Sequence, residues 1–389
     1  MNDKTLSYRA WQYNLGLLPV PLYRGNDSDH RHVLLNGVAG NFCLDEQVEV
    51  SPIERATVAW SANTGHHLST SRDYVEVVRW DQPDKIERFT TSSVATNLEE
   101  FHRYLERSTP ERLNSVVSHA LGVYRSLRSA LQEGEAGAAS LGAFLYLIYR
   151  LESGQERELT QATFLPAGAA DAFESIQPED REFFIDRLSG KVGSFRMMRP
   201  DLTLLLRHAS GALFQEAHAQ VELPSDNWLP GLGPADALPL FSTGLSTGAY
   251  FTPPSIARTL AEESVRQFPW ERSETISIFD PACGSGELLK EALRILEIKG
   301  YRGNVVIRGW DISPAAVAIA IFSLGWEARG WNGRVQVDIR LSDSLLAESW
   351  PSSDLILMNP PFKSWQQMAE LERAAVIEQL GTLQPKNRS

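Results

Sequence analysis

The sequence predicts an α/β fold in which a parallel sheet near the C-terminus is preceded by a mostly helical N-terminal domain. Three observations indicate this. After residue 274, short apolar strands alternate with helical runs, which is the pattern of βαβ units. Between residues 93 and 223, helical periods dominate. Between residues 224 and 247, prolines and glycines interrupt every period, which is typical of a linker.

The C-terminal part is predicted to contain four strands, the last of them apolar throughout like a buried parallel strand. A glycine-rich turn after the first strand leads to a helix over Glu287–Ile298. Ser313 and Pro314 form an N-cap and first-turn pair for a second helix that ends near Glu327. The strands are TISIFD (275–280), VVIRGWD (305–311), VQVDIRL (335–341) and DLILMN (354–359).

The chain is predicted to divide into a mixed α/β segment (1–92), a helical domain (93–223), the linker (224–247) and the C-terminal core (248–389). The mixed segment ends near a strand-like stretch, YVEVVRW, at 74–80. In the helical domain, apolar spacing predicts four helices. These are Asn97–Leu105, Pro110–Leu131, Leu141–Leu151 and Leu202–Gln220.

Composition limits the class of protein. The chain has 389 residues, 43% of them hydrophobic, which is enough for the cores of two or three domains. A net charge of -12 argues against a basic nucleic-acid surface over the whole molecule. No secretory signal or membrane span is visible, so a cytoplasmic location is expected.

Two cysteines, Cys43 and Cys283, suggest neither a disulfide framework nor a zinc cluster. The adjacent His66 and His67 are expected to be loop residues. No metal site is predicted.

The stretch FDPACGSGE (279–287) lies where a Rossmann-like sheet binds a nucleotide-like ligand, after the first strand and at the start of the first helix. Gly284 and Gly286 allow the backbone to approach a ligand closely. The three-glycine dinucleotide fingerprint and the phosphate-loop Gly-Lys-Ser/Thr are both missing. The loop therefore disfavours a pyrophosphate ligand.

Three acids follow three consecutive strands: Asp280, Asp311 and Asp343. Because the carboxyl ends of parallel strands share one edge of the sheet, these carboxylates are expected to line one crevice. They suit a ligand that carries an amino group, a ribose diol and an adenine amine, and they would repel phosphates. S-adenosylmethionine fits that description.

The corner MNPPF (358–362) follows the fourth strand. The Asn359 side-chain oxygen and the Pro360 carbonyl can each accept one N–H of an exocyclic amine, which favours a pyramidal, more nucleophilic nitrogen. The prolines hold both acceptors in place because they fix φ. The ring of Phe362 offers a stacking face for a base that is flipped out of a duplex.

Together these segments resemble the N6-adenine DNA methyltransferases whose cofactor motifs precede the catalytic motif. The resemblance covers roughly residues 246–365 and implies methyl transfer from S-adenosylmethionine to the amine of a flipped adenine, in a restriction-modification or phage-defence system. It rests, in order, on STGAYFTPP (246–254), DPACGSG (280–286), WD (310–311) with Asp343, and NPPF (359–362).

The resemblance also implies roles for individual residues. The segment before the sheet closes over the methionine end of the cofactor, the glycine loop positions the methionine part, Asp311 binds the ribose and Asp343 the adenine ring. The implied cofactor-binding residues are Tyr250, Phe251, Thr252, Pro253, Asp280, Pro281, Ala282, Cys283, Gly284, Gly286, Asp311, Ile312 and Asp343. The implied catalytic residues are Asn359, Pro360, Pro361 and Phe362.

Other interpretations stay open at this stage. Protein-glutamine N5-methyltransferases carry a similar Asn-Pro-Pro-aromatic motif. The sequence has room for only four strands of a seven-stranded family domain, which predicts a second polypeptide that completes the sheet and recognises DNA, or else a truncated, non-catalytic interaction module. An N-terminal nuclease is a further alternative, although the only Glu-x-Lys triplet is Glu297–Lys299.

Overall fold

The computed structural model describes most of the chain, with several gaps. The described residues are 6–22, 31–36, 39–46, 50–110, 115–131, 138–153, 164–189, 199–221, 252–329, 331, 333–345, 347–360, 370, 373–374 and 377–378. The predicted linker (224–247) lies outside them.

The N-terminal part contains a six-stranded sheet whose strands lie in chain order. Neighbouring strands are antiparallel except for β3 and β4. A parallel pair needs a crossover, and helix α2 (Pro52–Ser61) provides it, with Ser51 as its N-cap. Helix α1 (Tyr8–Leu15) precedes the sheet. The strands are β1 (Leu18–Pro21), β2 (Arg31–Asn36), β3 (Ala39–Asp45), β4 (His66–Thr70), β5 (Tyr74–Arg79) and β6 (Gln82–Thr90).

Of the helices that follow this sheet, Thr91–Thr96 and Leu98–Arg107 pack on the sheet itself, whereas the later helices form a layer of their own. The predicted helix at 141–151 lies within α6, where residues 140–149 are all buried. The apolar core of this layer includes Phe144 and Leu205 and extends to Phe322 and Trp326 of the C-terminal part. The helical layer and the C-terminal part therefore share a core. The helices are α3 (Thr91–Thr96), α4 (Leu98–Arg107), α5 (Val116–Ala130), α6 (Ala138–Ser153), α7 (Ala169–Ser175), α8 (Pro178–Ser189) and α9 (Leu202–Val221).

The C-terminal part contains the predicted parallel sheet, in the order β10-β7-β8-β9. Helix α10 packs against α11, and α11 packs against α12. The strands are β7 (Thr275–Asp280), β8 (Asn304–Asp311), β9 (Val335–Leu341) and β10 (Leu355–Ile356), and the helices are α10 (Pro254–Gln267), α11 (Glu287–Ile298) and α12 (Pro314–Ala328). The α/β fold class is thus confirmed.

Three sequence expectations need correction. His66 and His67 are not loop residues, because both are buried in β4. The fourth C-terminal strand is shorter and less buried than predicted, since Ile356 and Met358 are each 49% exposed.

The buried face of α10 also differs from the expected one. The residue pattern after Thr252 predicts a helix with Ile256, Leu260 and Ala261 on the sheet, but Ile256 and Leu260 are 49% and 43% exposed, and of the three Ala261 alone is buried. Ala257, Ala261 and Val265, spaced four residues apart, pack into the core instead.

Two further observations concern the cysteines and the length and apolar character of the helices. Cys43 and Cys283 are free and buried. Among the helices in the described part of the chain, none combines the length and the apolar character that crossing a membrane requires.

Candidate functional site

Two neighbouring strands, β7 and β10, form the centre of the candidate site. The connection after β7 runs away to β8 on one side, whereas β10 pairs with β7 on the other side. In an open parallel sheet, ligands bind outside the carboxyl ends of the strands where the order reverses in this way. The loop after Asp280 and the corner at Asn359 both lie at this point.

The loop after β7 is fixed to the end of β8 by hydrogen bonds. The Asp280 carboxylate accepts a 3.0 Å hydrogen bond from the Ala282 N–H. The Cys283 N–H donates to the Trp310 carbonyl over 2.9 Å, and the Gly284 N–H donates to Asp311 Oδ2 over 2.8 Å. The two strand ends and the loop thus form one connected unit.

Asp311 connects three consecutive segments of the sheet edge. Its second carboxylate oxygen accepts from the Ser313 N–H at 2.9 Å, and its carbonyl accepts from Ser342 after β9 at 2.9 Å. These backbone donors orient the carboxylate at the edge of the sheet.

The glycines of this region serve two different purposes. Gly284 has φ +53°, a backbone conformation that favours glycine, and the space where a Cβ would stand is open. Gly286 has φ +80°, and its Cβ would lie 3.4 Å from the side chain of Ala320. At Gly309 in β8, a Cβ would come within 3.0 Å of Cys283. Gly309 therefore lets the loop lie directly over β8.

The two central acids influence each other. Asp280 is 1% exposed. Burial raises the pKa of its carboxyl to about 7, and although the Ala282 N–H opposes this shift, the nearby Asp311 adds to it. The site therefore favours a cation beside Asp280, since a positive charge would stabilise the ionised form.

Asn359 contacts a residue 107 positions earlier in the chain. Its side-chain Nδ2 donates a 3.1 Å hydrogen bond to Thr252 Oγ1. This contact uses the amide nitrogen and so orients the carboxamide, leaving Oδ1 as the acceptor that an amine substrate needs. Thr252 lies just before α10, so the segment that precedes the sheet reaches the corner that follows β10.

The other predicted residues fall at different distances from this centre. Ile312 follows Asp311 and is 71% exposed, and Pro281 and Cys283 are buried in the loop. Asp343 is exposed, and its Oδ1 accepts from the Leu345 N–H at 2.9 Å. Four predicted site residues lie outside the described residues: Tyr250, Phe251, Pro361 and Phe362.

Sequence reasoning missed the pair that holds β10 in place. Asp354 Oδ2 accepts from both the N–H and the hydroxyl of Ser277, each over 2.7 Å. Ser277 is a polar residue in the middle of an otherwise apolar strand, which was the available signal. This pair fixes the start of β10, and thereby the path toward Asn359.

An aromatic trio on the sheet was also missed. The Phe279 ring lies 5.0 Å from the Trp310 ring and 5.7 Å from the Trp350 ring, both edge to face. Trp350 comes from the connection between β9 and β10, and its Nε1 donates to the Ser344 carbonyl over 3.0 Å. The trio therefore holds that connection against the central strands.

This geometry is typical of α/β domains whose nucleoside-like ligand lies at the carboxyl edge of a parallel sheet, with acids rather than phosphate-binding groups in the loop. Residues 240–389 match the family model described as N-6 DNA Methylase. This match confirms the resemblance inferred from the motifs in this part of the chain.

Two known proteins illustrate the relationship. Over 87 residues, the chain is 37% identical to the Type I restriction enzyme MjaIX methylase subunit of Methanocaldococcus jannaschii. The matched region covers 22% of this chain and 15% of that relative. A solved type I restriction-modification system methyltransferase subunit from Streptococcus thermophilus is 16% identical, with a TM-score of 0.28 over 64% of this chain and 63% of that one. Because this score is low, the fold assignment rests on the strand order described above.

Proposed function

We propose that the C-terminal part of this chain is an S-adenosylmethionine-dependent DNA methyltransferase that modifies N6 of adenine. The observation that carries the proposal is the meeting of Asn359 with the Thr252 segment beside the loop that follows Asp280. The family match supports the DNA substrate. Neither that match nor the curated relative supports the protein-glutamine alternative.

The residues of the crevice fit this cofactor. Asp280 would pair with the ammonium of the methionine part, and the first-turn N–H groups of α11 would bind its carboxylate, since a helix N-terminus favours anions. Asp311 would accept from the ribose hydroxyls, as acids after the second strand do in nucleotide-binding folds. The exposed side chain of Ile312 would pack on the adenine ring, and Asp343 would accept from its amine. When bound, the cofactor supplies an electrophilic methyl group.

The corner after β10 would orient the substrate amine. The Asn359 Oδ1 and the Pro360 carbonyl would each accept one N–H of the adenine amine, so that its lone pair is directed at the crevice. Thr252 keeps the carboxamide in that orientation through its hydrogen bond to Nδ2. Positioning of this kind accelerates the reaction without a strongly basic side chain. The target base must leave the duplex to reach the corner.

The proposal extends to the domain organisation of the chain and to its partners. The relative from Methanocaldococcus jannaschii is named a methylase subunit, which supports a second polypeptide that completes the enzyme and contributes to DNA recognition. The domain boundaries predicted from the sequence remain part of this proposal. The net charge of -12 favours a partner as the source of basic DNA contacts.

Nucleoside analysis tests the proposal. The full chain is incubated with S-adenosylmethionine carrying a labelled methyl group and with unmethylated DNA, which is then digested and analysed by mass spectrometry. We expect label in N6-methyladenine. Label in cytosine N4 or in protein glutamine would overturn the proposal, as would a wild-type chain that binds no cofactor.

A further inference from the structure

A set of charged side chains is buried between the N-terminal helices and the C-terminal part. We call it the interface charge cluster. Lys290 and Glu291 are each 1% exposed, Glu287 is 3% exposed and Arg207 is 7% exposed. Charges rarely stay buried unless they are paired. The cluster consists of Arg207 and Ser210 of α9, Arg258 of α10, Glu287, Lys290, Glu291 and Arg294 of α11, and Glu327 of α12.

Lys290 connects α9 to the first turn of α11. Its Nζ lies 3.1 Å from the Ser210 hydroxyl oxygen and 2.7 Å from a Glu287 carboxylate oxygen. The Lys290 N–H donates to the Gly286 carbonyl over 2.9 Å. One residue thus contacts both the N-terminal helix and the last glycine of the cofactor loop.

Glu291 is the centre of the cluster. Arg207 lies 3.4 Å from Oε1 of this residue, and Arg294 donates to the same oxygen. Arg258 lies 3.6 Å from the other oxygen, Oε2. Burial alone would raise the pKa of Glu291, but Arg294, Arg207 and Arg258 outweigh it and lower the pKa to about 2. The carboxylate is therefore charged and held by three helices.

Arg207 extends the connection to the first sheet. Its second terminal nitrogen donates to the Pro21 carbonyl at the end of β1 over 2.8 Å. Arg207 therefore contacts the N-terminal sheet and α11 at once, from its place on α9. A shift of α9 relative to α11 would lengthen the contacts of Arg207 with Glu291 and of Ser210 with Lys290.

Stability alone explains such a cluster poorly, because apolar residues of similar volume often serve a buried site as well or better. Charged pairs differ from apolar contacts in that they fix one relative position of the elements they join. Here the element is α11, which begins directly after Gly286. A displacement of α11 along its axis would move the loop 280–286 and the first-turn N–H groups.

We propose that α9 belongs to the scaffold of the cofactor site, with Arg207 and Ser210 as positioning residues that hold α11, and thereby the glycine loop, in the geometry that binds cofactor. This inference rests on the proposed function. It assigns to the N-terminal part an indirect role in cofactor affinity, exerted through α11.

The test is calorimetric titration of S-adenosylmethionine into the full chain, as wild type and as the variants Arg207→Met and Ser210→Ala. We expect the dissociation constant to rise by about 3- to 30-fold in Arg207→Met, the range seen when coupling through packed networks is disturbed, and by less in Ser210→Ala. Arg207→Lys should recover part of the affinity because it restores a positive charge. At saturating cofactor, the rate of methyl transfer should return to near the wild-type rate.

Arg125→Met is the matched control. Arg125 forms a two-bond ion pair with Glu216 of the same helix α9, with both distances 2.8 Å, but it comes from α5 and does not contact α11. This variant should bind cofactor like the wild type. An equal loss of affinity in Arg125→Met would show general destabilisation and overturn the inference.

Other outcomes separate this inference from the proposed function. If the wild type binds no cofactor, the proposed function fails. If the wild type binds and folded Arg207→Met keeps its affinity, the inference alone fails. Should Arg207→Met not fold, Ser210→Ala and Arg207→Lys decide, and wild-type affinity in both would overturn the inference.

Discussion

The two sheets of this molecule both carry acids on their strands, but they satisfy them in different ways. In the N-terminal sheet, Asp45 pairs with Arg31 at 3.2 Å. Glu76 accepts from Arg55 and from Arg88, each at 2.7 Å. In this sheet arginines from neighbouring strands and from α2 neutralise the acids, which therefore hold the layer together.

In the C-terminal sheet, the acids at the ends of β7 and β8 accept hydrogen bonds from backbone amides, although Asp338 within β9 pairs with Arg340. Asp280 accepts from the Ala282 N–H, and Asp311 accepts from the N–H groups of Gly284 and Ser313. Backbone donors fix a carboxylate without cancelling its charge. The two sheets thus hold these acids in different ways, with arginines in one and with the N–H groups of the adjoining loop in the other.

The largest expected effect comes from the corner residue, because its carboxamide would contact the reacting amine. Asn359→Ala should reduce methyl transfer to DNA by at least about 100-fold, as loss of one oriented hydrogen-bonding group does in other active sites. Cofactor affinity should stay near the wild-type value. Transfer is measured with labelled cofactor, and affinity by calorimetry. Equal loss of both would show that Asn359 supports the fold of the site rather than the substrate.

The pH dependence of cofactor affinity sharpens the comparison at Asp280. Its pKa is raised to about 7, so the carboxylate forms as pH rises through that value. Affinity for the cofactor ammonium should therefore increase about tenfold from about pH 6 to about pH 8. Asp280→Asn should bind weakly at both pH values, without this rise. Titrations at both pH values test this, and a wild-type affinity independent of pH would contradict the role assigned to Asp280.

A smaller effect is expected at the residue that orients Asn359. Thr252→Val removes the acceptor of the 3.1 Å hydrogen bond and keeps the shape of the side chain. Transfer should fall by about 3- to 10-fold, which corresponds to the loss of one ordinary hydrogen bond. Thr252→Ser should retain most of the activity. Single-turnover transfer rates provide the measurement, and equal rates in the valine and serine variants would exclude the hydrogen bond as the cause.

The smallest effect on the site should come from the other sheet. Glu76→Gln removes the charge that Arg55 and Arg88 hold, and these contacts lower the pKa of Glu76 below its ordinary value despite partial burial. The free energy of unfolding should fall by about 1–3 kcal/mol, as measured by urea denaturation. Cofactor affinity should not change. A change in affinity as large as that of a crevice variant would remove the distinction between the two sheets.

The sequence predicted the C-terminal part well because its signals are local. The strand TISIFD and the helix after Gly286 appear with the predicted bounds, since apolar runs, glycines and an N-cap determine them nearby in the chain. The loop contacts between Gly284 and Asp311 were not visible as such, but the order of strands implied their proximity.

The features that the sequence did not reveal depend on distant pairing. Five of the six N-terminal strands were missed, since short strands with polar residues, such as His66 and His67 in β4, carry no clear period. The interface charge cluster joins Arg207 to Glu291, which lie 84 positions apart in the sequence. The residues near either position do not predict such a pair. For the same reason Ile256 of α10 was expected to be buried, whereas Ala257 is the residue that lies in the core where α10 packs against α11.

Calorimetric titration of S-adenosylmethionine into the wild type, Asp311→Ala and Glu76→Gln tests the central claim most directly. The account predicts saturable binding to the wild type and to Glu76→Gln with similar dissociation constants. For Asp311→Ala it predicts a constant at least about tenfold higher, because hydrogen bonds to a charged group are lost. Absence of binding to the wild type, or unchanged affinity in Asp311→Ala, would contradict it.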